Sequence, residues 1–308
     1  MQIFAPEKVR VMGDGYTLYR VRFTSLYALY EYLKSDPQTN NRVFYRLHSV
    51  LGEESFAGKP YSKAVEDLVS TVDYGYKEFL KLEKSINGAK LIRTNEYRTV
   101  KTLAGGHLNI VDYSKGSPLC YETLEKVRKP KFVRIYILLA YRWNTTKSEV
   151  FNRAIIITNI VKALENFGYN VELNTFELSV CHDELFYAIV SVKKHSERIN
   201  LERLYKILCH VEFLRRISFR LLETTNVTDY EWEDGYGAAC QEDFCRAFLK
   251  LNKDDIYFDQ PKELGIRGYD LADDFEAVIN HLNLNDKIDV KKAKEEFRNN
   301  VRKLKKEQ

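Results

Sequence analysis

The chain has 308 residues, 44% hydrophobic and 30% charged, with a formal net charge of +4. That length gives one large domain or two ordinary ones with ample core, and the balance is that of a soluble globular protein. It excludes a low-complexity chain; no apolar run is long enough to span a bilayer, and no basic-then-apolar leader follows Met1.

In chain order, residues 1–130 are mixed and mainly helical. YTLYRVRF (16–23) alternates as a strand, and SLYALYEYLKS (25–35) reads as a helix with Leu26, Leu29, Tyr30 and Leu33 inward. The segment 61–86 reads as one or two helices broken near Asp73–Gly75. Residues 91–130 lack periodicity; turns at Gly105–Gly106 and Gly116–Pro118 point to irregular structure with short strands.

A strand and a long amphipathic helix follow, over Lys131–Tyr169. Val133, Ile135, Ile137, Leu139, Tyr141 and Trp143 share one strand face, while Arg134, Tyr136, Leu138, Ala140 and Arg142 form a mixed face open to solvent near its ends. The helix stripe is Val150, Ala154, Ile157, Val161 and Leu164; Thr146 with Glu149 fits a capping box, and Gly168 a left-handed C-terminal glycine. Two strands, 170–180 and 184–194, come next, with a parity change at Asn174–Thr175 that predicts a bulge. Then come one long helix over 199–223, a shorter one around 241–250 and a candidate strand, 254–259. The order β-α-β-β-α-β from 131 to 265 predicts a ferredoxin-like α+β core. Residues 266–308 are helical and end in a basic tail, where Lys287–Gln308 carry nine Lys/Arg against four Asp/Glu.

Several short motifs fall in one order: Gly116, Pro118 and Cys120; Asn152, Arg153 and Ala154; Gly168, Tyr169, Val171 and Glu172; Arg215, Arg216 and Phe219; Gly235, Tyr236 and Gly237. Over roughly residues 50–265 the chain resembles a functionally uncharacterised domain family common in bacteriophages and prophages. It departs from that pattern in lacking a glycine after Asn152–Arg153. The resemblance implies a phage-type origin and a fold, not a reaction.

The candidate chemistry is mostly basic. Arg215 and Arg216, with Arg153 early in the other helix, offer planar forks for an anion. Arg134, Tyr136 and Arg142 put basic and aromatic groups on a strand, as single-stranded nucleic acid requires. In the tail, Lys291, Arg298 and Arg302 line the wet side of an apolar seam that docks on the body, another copy or a partner. No metal or cofactor is expected: the Cys-His pairs at 181–182 and 209–210 match no zinc spacing, and no phosphate-loop or hydrolase motif occurs. Five cysteines without a CxxC spacing fit a reducing cytoplasm. The resulting expectation is a non-enzymatic, phage-type protein that binds a macromolecule, a protein or second copy ahead of nucleic acid. Two alternatives stand beside it: a metal-dependent phosphodiester- or nucleotide-directed enzyme, and a single-stranded nucleic-acid binder.

Overall fold

The computed structural model describes residues 1–37, 48–70, 75–84, 97–126, 131–166, 168–225 and 240–283, with 291, 294, 295, 298 and 299 beyond them. The chain opens with β1 (Gln2–Ile3), β2 (Glu7–Val11) and β3 (Asp14–Phe23). Helix α1 (Leu26–Lys34) starts at Ser25, whose hydroxyl accepts from the Ala28 N–H, and buries Leu26, Leu29 and Leu33. Short helices follow: α2 (His48–Leu51), α3 (Glu54–Ala57), α4 (Tyr61–Asp67) and α5 (Gly75–Lys84). A separate small lobe holds β4 (Tyr97–Thr102), β5 (His107–Leu108), α6 (Ile110–Ser114) and β6 (Tyr121–Lys126) as a three-stranded sheet in the order β4-β6-β5.

Next come β7 (Lys131–Leu138), α7 (Lys147–Asn166), β8 (Tyr169–Cys181) and β9 (Glu184–Lys193). Helix α8 (Leu201–Leu208), a π-helical segment (Phe213–Ser218) and α9 (Phe219–Glu223) replace the single helix read over 199–223. Helix α10 (Glu242–Leu249), β10 (Ile256–Phe258) and α11 (Leu271–His281) complete the described elements.

The main sheet runs β1-β3-β9-β8-β7-β10, with β2 also paired to β3. Strands β7 and β8 are parallel neighbours, as are β7 and β10, and β9 lies antiparallel to β8 and parallel to β3. This corrects the ferredoxin-like expectation. A split βαβ unit separates its two helix-linked strands by a third, whereas here β7 and β8 touch directly. The chain order of elements is the same in both arrangements. What differs is the partner of β9, whose far edge is taken by β3 from the first thirty residues. The mixed α+β character stands, and β1–β3 share one sheet with β7–β10.

The capping box forms as read. Glu149 Oε2 accepts from the Thr146 N–H at 2.6 Å, and the Glu149 N–H donates to Thr146 Oγ1 at 3.2 Å. Gly168 closes the helix at φ 85°, where a side chain would be strained. Yet α7 is not amphipathic: every residue from Arg153 to Val161 is buried. It lies inside the molecule, with the sheet on one side and α5, α8 and α11 around it. Thr158 and Asn159, forced inward, donate to their own helix carbonyls at Ala154 and Ile155. Phe244 and Phe248 of α10 cover the second face of the sheet, so Tyr136, Leu138 and Ala140 are buried rather than open to water. Strand β7 stops at Leu138, and Trp143, read as inward, is 79% exposed. The bulge sits between Leu173 and Asn174, one residue before its expected place.

Candidate functional site

The strand order reverses at β7, since β8 lies on one side and β10 on the other. In open α/β sheets the crevice outside the carboxyl ends at such a point is where ligands bind. Three predicted residues meet there. Arg153 reaches back from the second turn of α7 and donates through Nη2 to the Leu138 carbonyl. Arg215 donates to Phe56 O at 2.6 Å and Trp143 O at 3.0 Å, its guanidinium lying 4.1 Å from the Phe56 ring centre and 5.3 Å from that of Tyr141. Arg142 bonds Gln260 through its backbone N–H and Glu263 through Nη2 at 2.7 Å.

Burial lowers the Arg153 pKa to about 10, opposed by Asp259, Tyr257 and Tyr141, so it stays cationic at neutral pH. Burial also raises Asp259, which the Gln260 N–H and Arg153 counteract. Among the described residues, Arg153 Nε and Thr145 Oγ1 are buried without a hydrogen-bond partner. The space beside Arg153, bounded by Tyr141, Val150 and His210, is about 20 Å³, room for one water. This crevice is filled by the protein itself.

Arg216 is more completely consumed. Nε donates to Lys59 O at 2.9 Å, Nη1 to Ser49 O and Val50 O, and Nη2 to Gly52 O and Gly58 O. From the same helical segment, Glu212 accepts the Lys59 N–H at 2.9 Å and Glu223 the Ser49 N–H at 2.9 Å. Arg220 binds Asp36 and the Pro37 carbonyl. Adjacent helical positions point in different directions, so one segment fastens both the 49–59 stretch and the 143–145 turn. These arginines hold backbone carbonyls, which a lysine's point charge could not do with the same fork.

The other predicted residues lie apart. Arg134 is bidentate to Asp255, with Nε–Oδ1 at 3.0 Å, and its guanidinium sits 5.9 Å from the Tyr136 ring. In the tail, Lys291 is exposed, Arg298 pairs with Asp273 at 3.0 Å, and Lys294 pairs with Asp273 at 2.7 Å and also with Glu276. Arg302 and the seam residues Val290, Ala293, Phe297, Val301 and Leu304 lie outside the described residues. Asp274 is structural, accepting from Arg267 N, Gly268 N and Asn152 Nδ2. Among the described residues no group of three His, Cys, Asp or Glu is placed to hold a metal.

The short strands expected within 91–130 form the lobe; what sequence reasoning missed is its exposed apolar surface. Between residues 99 and 124 its only buried residue is Cys120, while Leu103, Leu108, Ile110, Val111, Tyr113, Leu119 and Leu124 are exposed. Lys101 on β4 pairs with Asp112 of α6 at 2.5 Å, so α6 lies over the sheet face that carries Leu124 opposite Thr99. Leu103, Ile110, Val111, Tyr113 and Leu124 are each 58–74% exposed. Three of them, Ile110, Val111 and Tyr113, stand on α6 itself. The signal was available: large apolar residues scattered among turn residues with neither a helical nor a strand period.

A family profile described as a domain of unknown function, DUF7192, matches residues 7–286, and the chain belongs to that family. No curated protein and no solved structure matches it. No described helix is long and apolar enough to cross a membrane.

Proposed function

We propose that this member of DUF7192 acts without catalysis, by docking a protein onto the lobe of residues 97–126. The observation that carries the reading is the number of exposed large apolar side chains on a lobe in which, between residues 99 and 124, Cys120 alone is buried. A three-stranded sheet needs a hydrophobic face packed on something, and here Leu124, on the face over which α6 lies, is still 69% exposed. Arg215 and Arg216 support the reading by contrast, because their guanidinium donors go to main-chain carbonyls. A phage-type origin and a cytoplasmic setting belong to the same reading. The order of the sequence motifs supports the first, and Cys120, Cys209, Cys240 and Cys245, none of them in a disulfide, support the second.

The test is native mass spectrometry of the full chain from its host's lysate, beside a Leu103→Ser/Ile110→Ser/Leu124→Ser variant. An added protein mass is expected for the wild type and its loss for the variant. Equal recovery on both chains would sink the reading. A labelled single strand bound more tightly as salt falls, and equally by both chains, would move it to nucleic acid.

A further inference from the structure

We infer that the cavity beside Arg153 binds a small monovalent anion of about a water's size, a halide such as chloride. The site is separate from the docking lobe and does not depend on that reading.

The first observation is a buried cation with no counter-charge in contact. Arg153 is 6% exposed, and burial lowers its pKa only to about 10, so it is charged at neutral pH. Asp255 holds Arg134 and Asp36 holds Arg220, whereas Arg153 forms no ion pair among the described residues. Its Nη2 donates to the Leu138 carbonyl, while Nε is buried with no partner. A guanidinium has five N–H donors to satisfy, and a charge inside a protein is stable only when it is paired. A carbonyl takes one donor and none of the charge.

The second is the electrostatics around it. Asp259 is the chief negative charge acting on Arg153, yet its Oδ1 accepts the Gln260 N–H at 2.7 Å and burial pushes its own pKa up. Arg215 adds to the positive side. It too is buried, forms no ion pair among the described residues, and lies 5.3 Å from the ring centre of Tyr141, which lines the cavity. Glu212, the carboxylate acting on Arg215, accepts the Lys59 N–H at 2.9 Å rather than a guanidinium donor.

The third is size and lining. The cavity is about 20 Å³, which admits one water-sized particle and is too small for sulfate or phosphate. Tyr141 gives its O–H to the Val211 carbonyl at 3.2 Å, His210 stands at one edge, and the other walls are mostly apolar, among them Ile157, Ile207 and Leu214. A water there needs two to four polar partners and leaves the Arg153 charge as it was. A weakly hydrated halide needs one cation and its N–H, and loses little on leaving water. The position fits as well, beyond the carboxyl end of β7 where the strand order reverses.

The test is thermal unfolding of the full chain at constant ionic strength, with sodium chloride or bromide replacing sodium fluoride. The midpoint is expected to rise saturably, by roughly 2–4 °C once the halide exceeds its Kd tenfold. Nonspecific salt effects run the other way, because strongly hydrated ions are the ones excluded from protein surfaces. Arg153→Met is expected to abolish the halide response. If that variant does not fold, anomalous diffraction from wild-type crystals grown in sodium bromide decides, with a bromide peak expected against Arg153 Nε. Midpoints that follow the nonspecific order, a response that persists in Arg153→Met, or a water beside Arg153 with bromide only on the outer surface would overturn the inference. A bromide peak at Arg153 without a saturable response in solution marks an adventitious ion only, and overturns it as well.

Discussion

The segment from Glu212 to Glu223 and the lobe from Tyr97 to Lys126 invert the usual order of protein surfaces. The first buries charge: Arg215, Arg216, Arg220, Glu212 and Glu223 all lie inside. The second exposes Leu103, Ile110, Val111, Tyr113 and Leu124. Buried charge is tolerated only when its bonds are satisfied, and Arg216 alone makes five contacts to carbonyls. Exposed apolar surface has no such internal remedy and marks a candidate contact for another molecule. The charged region is thus structure and the greasy one is the candidate for function, the reverse of what residue types suggest.

The sharpest way to break that comparison is to remove the buried fork. Arg216→Met should leave the carbonyls of Ser49, Gly52, Gly58 and Lys59 buried without a donor, at a cost of about 3–5 kcal/mol in urea unfolding. Arg216→Lys should recover only part, since an ammonium cannot span the same carbonyls. A loss below about 1 kcal/mol would mean that Arg216 is not the fastener of the 49–59 stretch.

Glu177 tests the same interior through pH. It is wholly buried on β8, with Ser179 and Ser218 beside it but outside hydrogen-bonding geometry, so burial raises its pKa from 4.5 to about 7. The native state then keeps a proton that the unfolded chain has released between those values. Stability should therefore be highest below about pH 4.5, fall as pH rises to 7, and level off above, by on the order of 3 kcal/mol for this group. Glu177→Gln should remove that slope, read as unfolding midpoints at a series of pH values. An unchanged slope would place the titration elsewhere.

A smaller effect is expected where the clasp meets its loop. Gly58 adopts φ 74°, and a Cβ there would come within 2.4 Å of the Glu212 carboxylate that binds the Lys59 N–H. Gly58→Ala combines backbone strain with displacement of that carboxylate, about 2 kcal/mol. If Glu212→Gln with Gly58→Ala is no worse than Gly58→Ala alone, the two share one contact.

Sequence legibility divides along the same line. Local chemistry was readable: Thr146–Glu149, Gly168 and the β8–β9 hairpin each follow from a few adjacent residues. The neighbour of a strand was not, because β3 residues pair with β9 residues 167 positions further along and nothing in either segment names the other. Arg215 and Arg216 were read as anion-binding candidates, but their donors go to main-chain carbonyls, which leave no trace in a sequence. The enclosure of α7 was partly visible in its run of isoleucines, Ile155, Ile156, Ile157 and Ile160, which no single stripe accommodates.

The last test should move stability least and function most. At Leu124, on β6 and 69% exposed, replacement by Thr removes apolar surface that water already touches. Thr, being β-branched, suits a strand position, so unfolding of the monomer should change within about 0.5 kcal/mol. Association should weaken all the same, because the methyl groups lost are those a partner would cover. Measured together with Arg216→Met, the pair separates two meanings of an important residue. One variant should lose its fold, and the other should keep its fold and lose its partner. If Leu124→Thr instead destabilises the monomer as Arg216→Met does, the lobe is packed against its own chain, and the contrast between the two regions collapses.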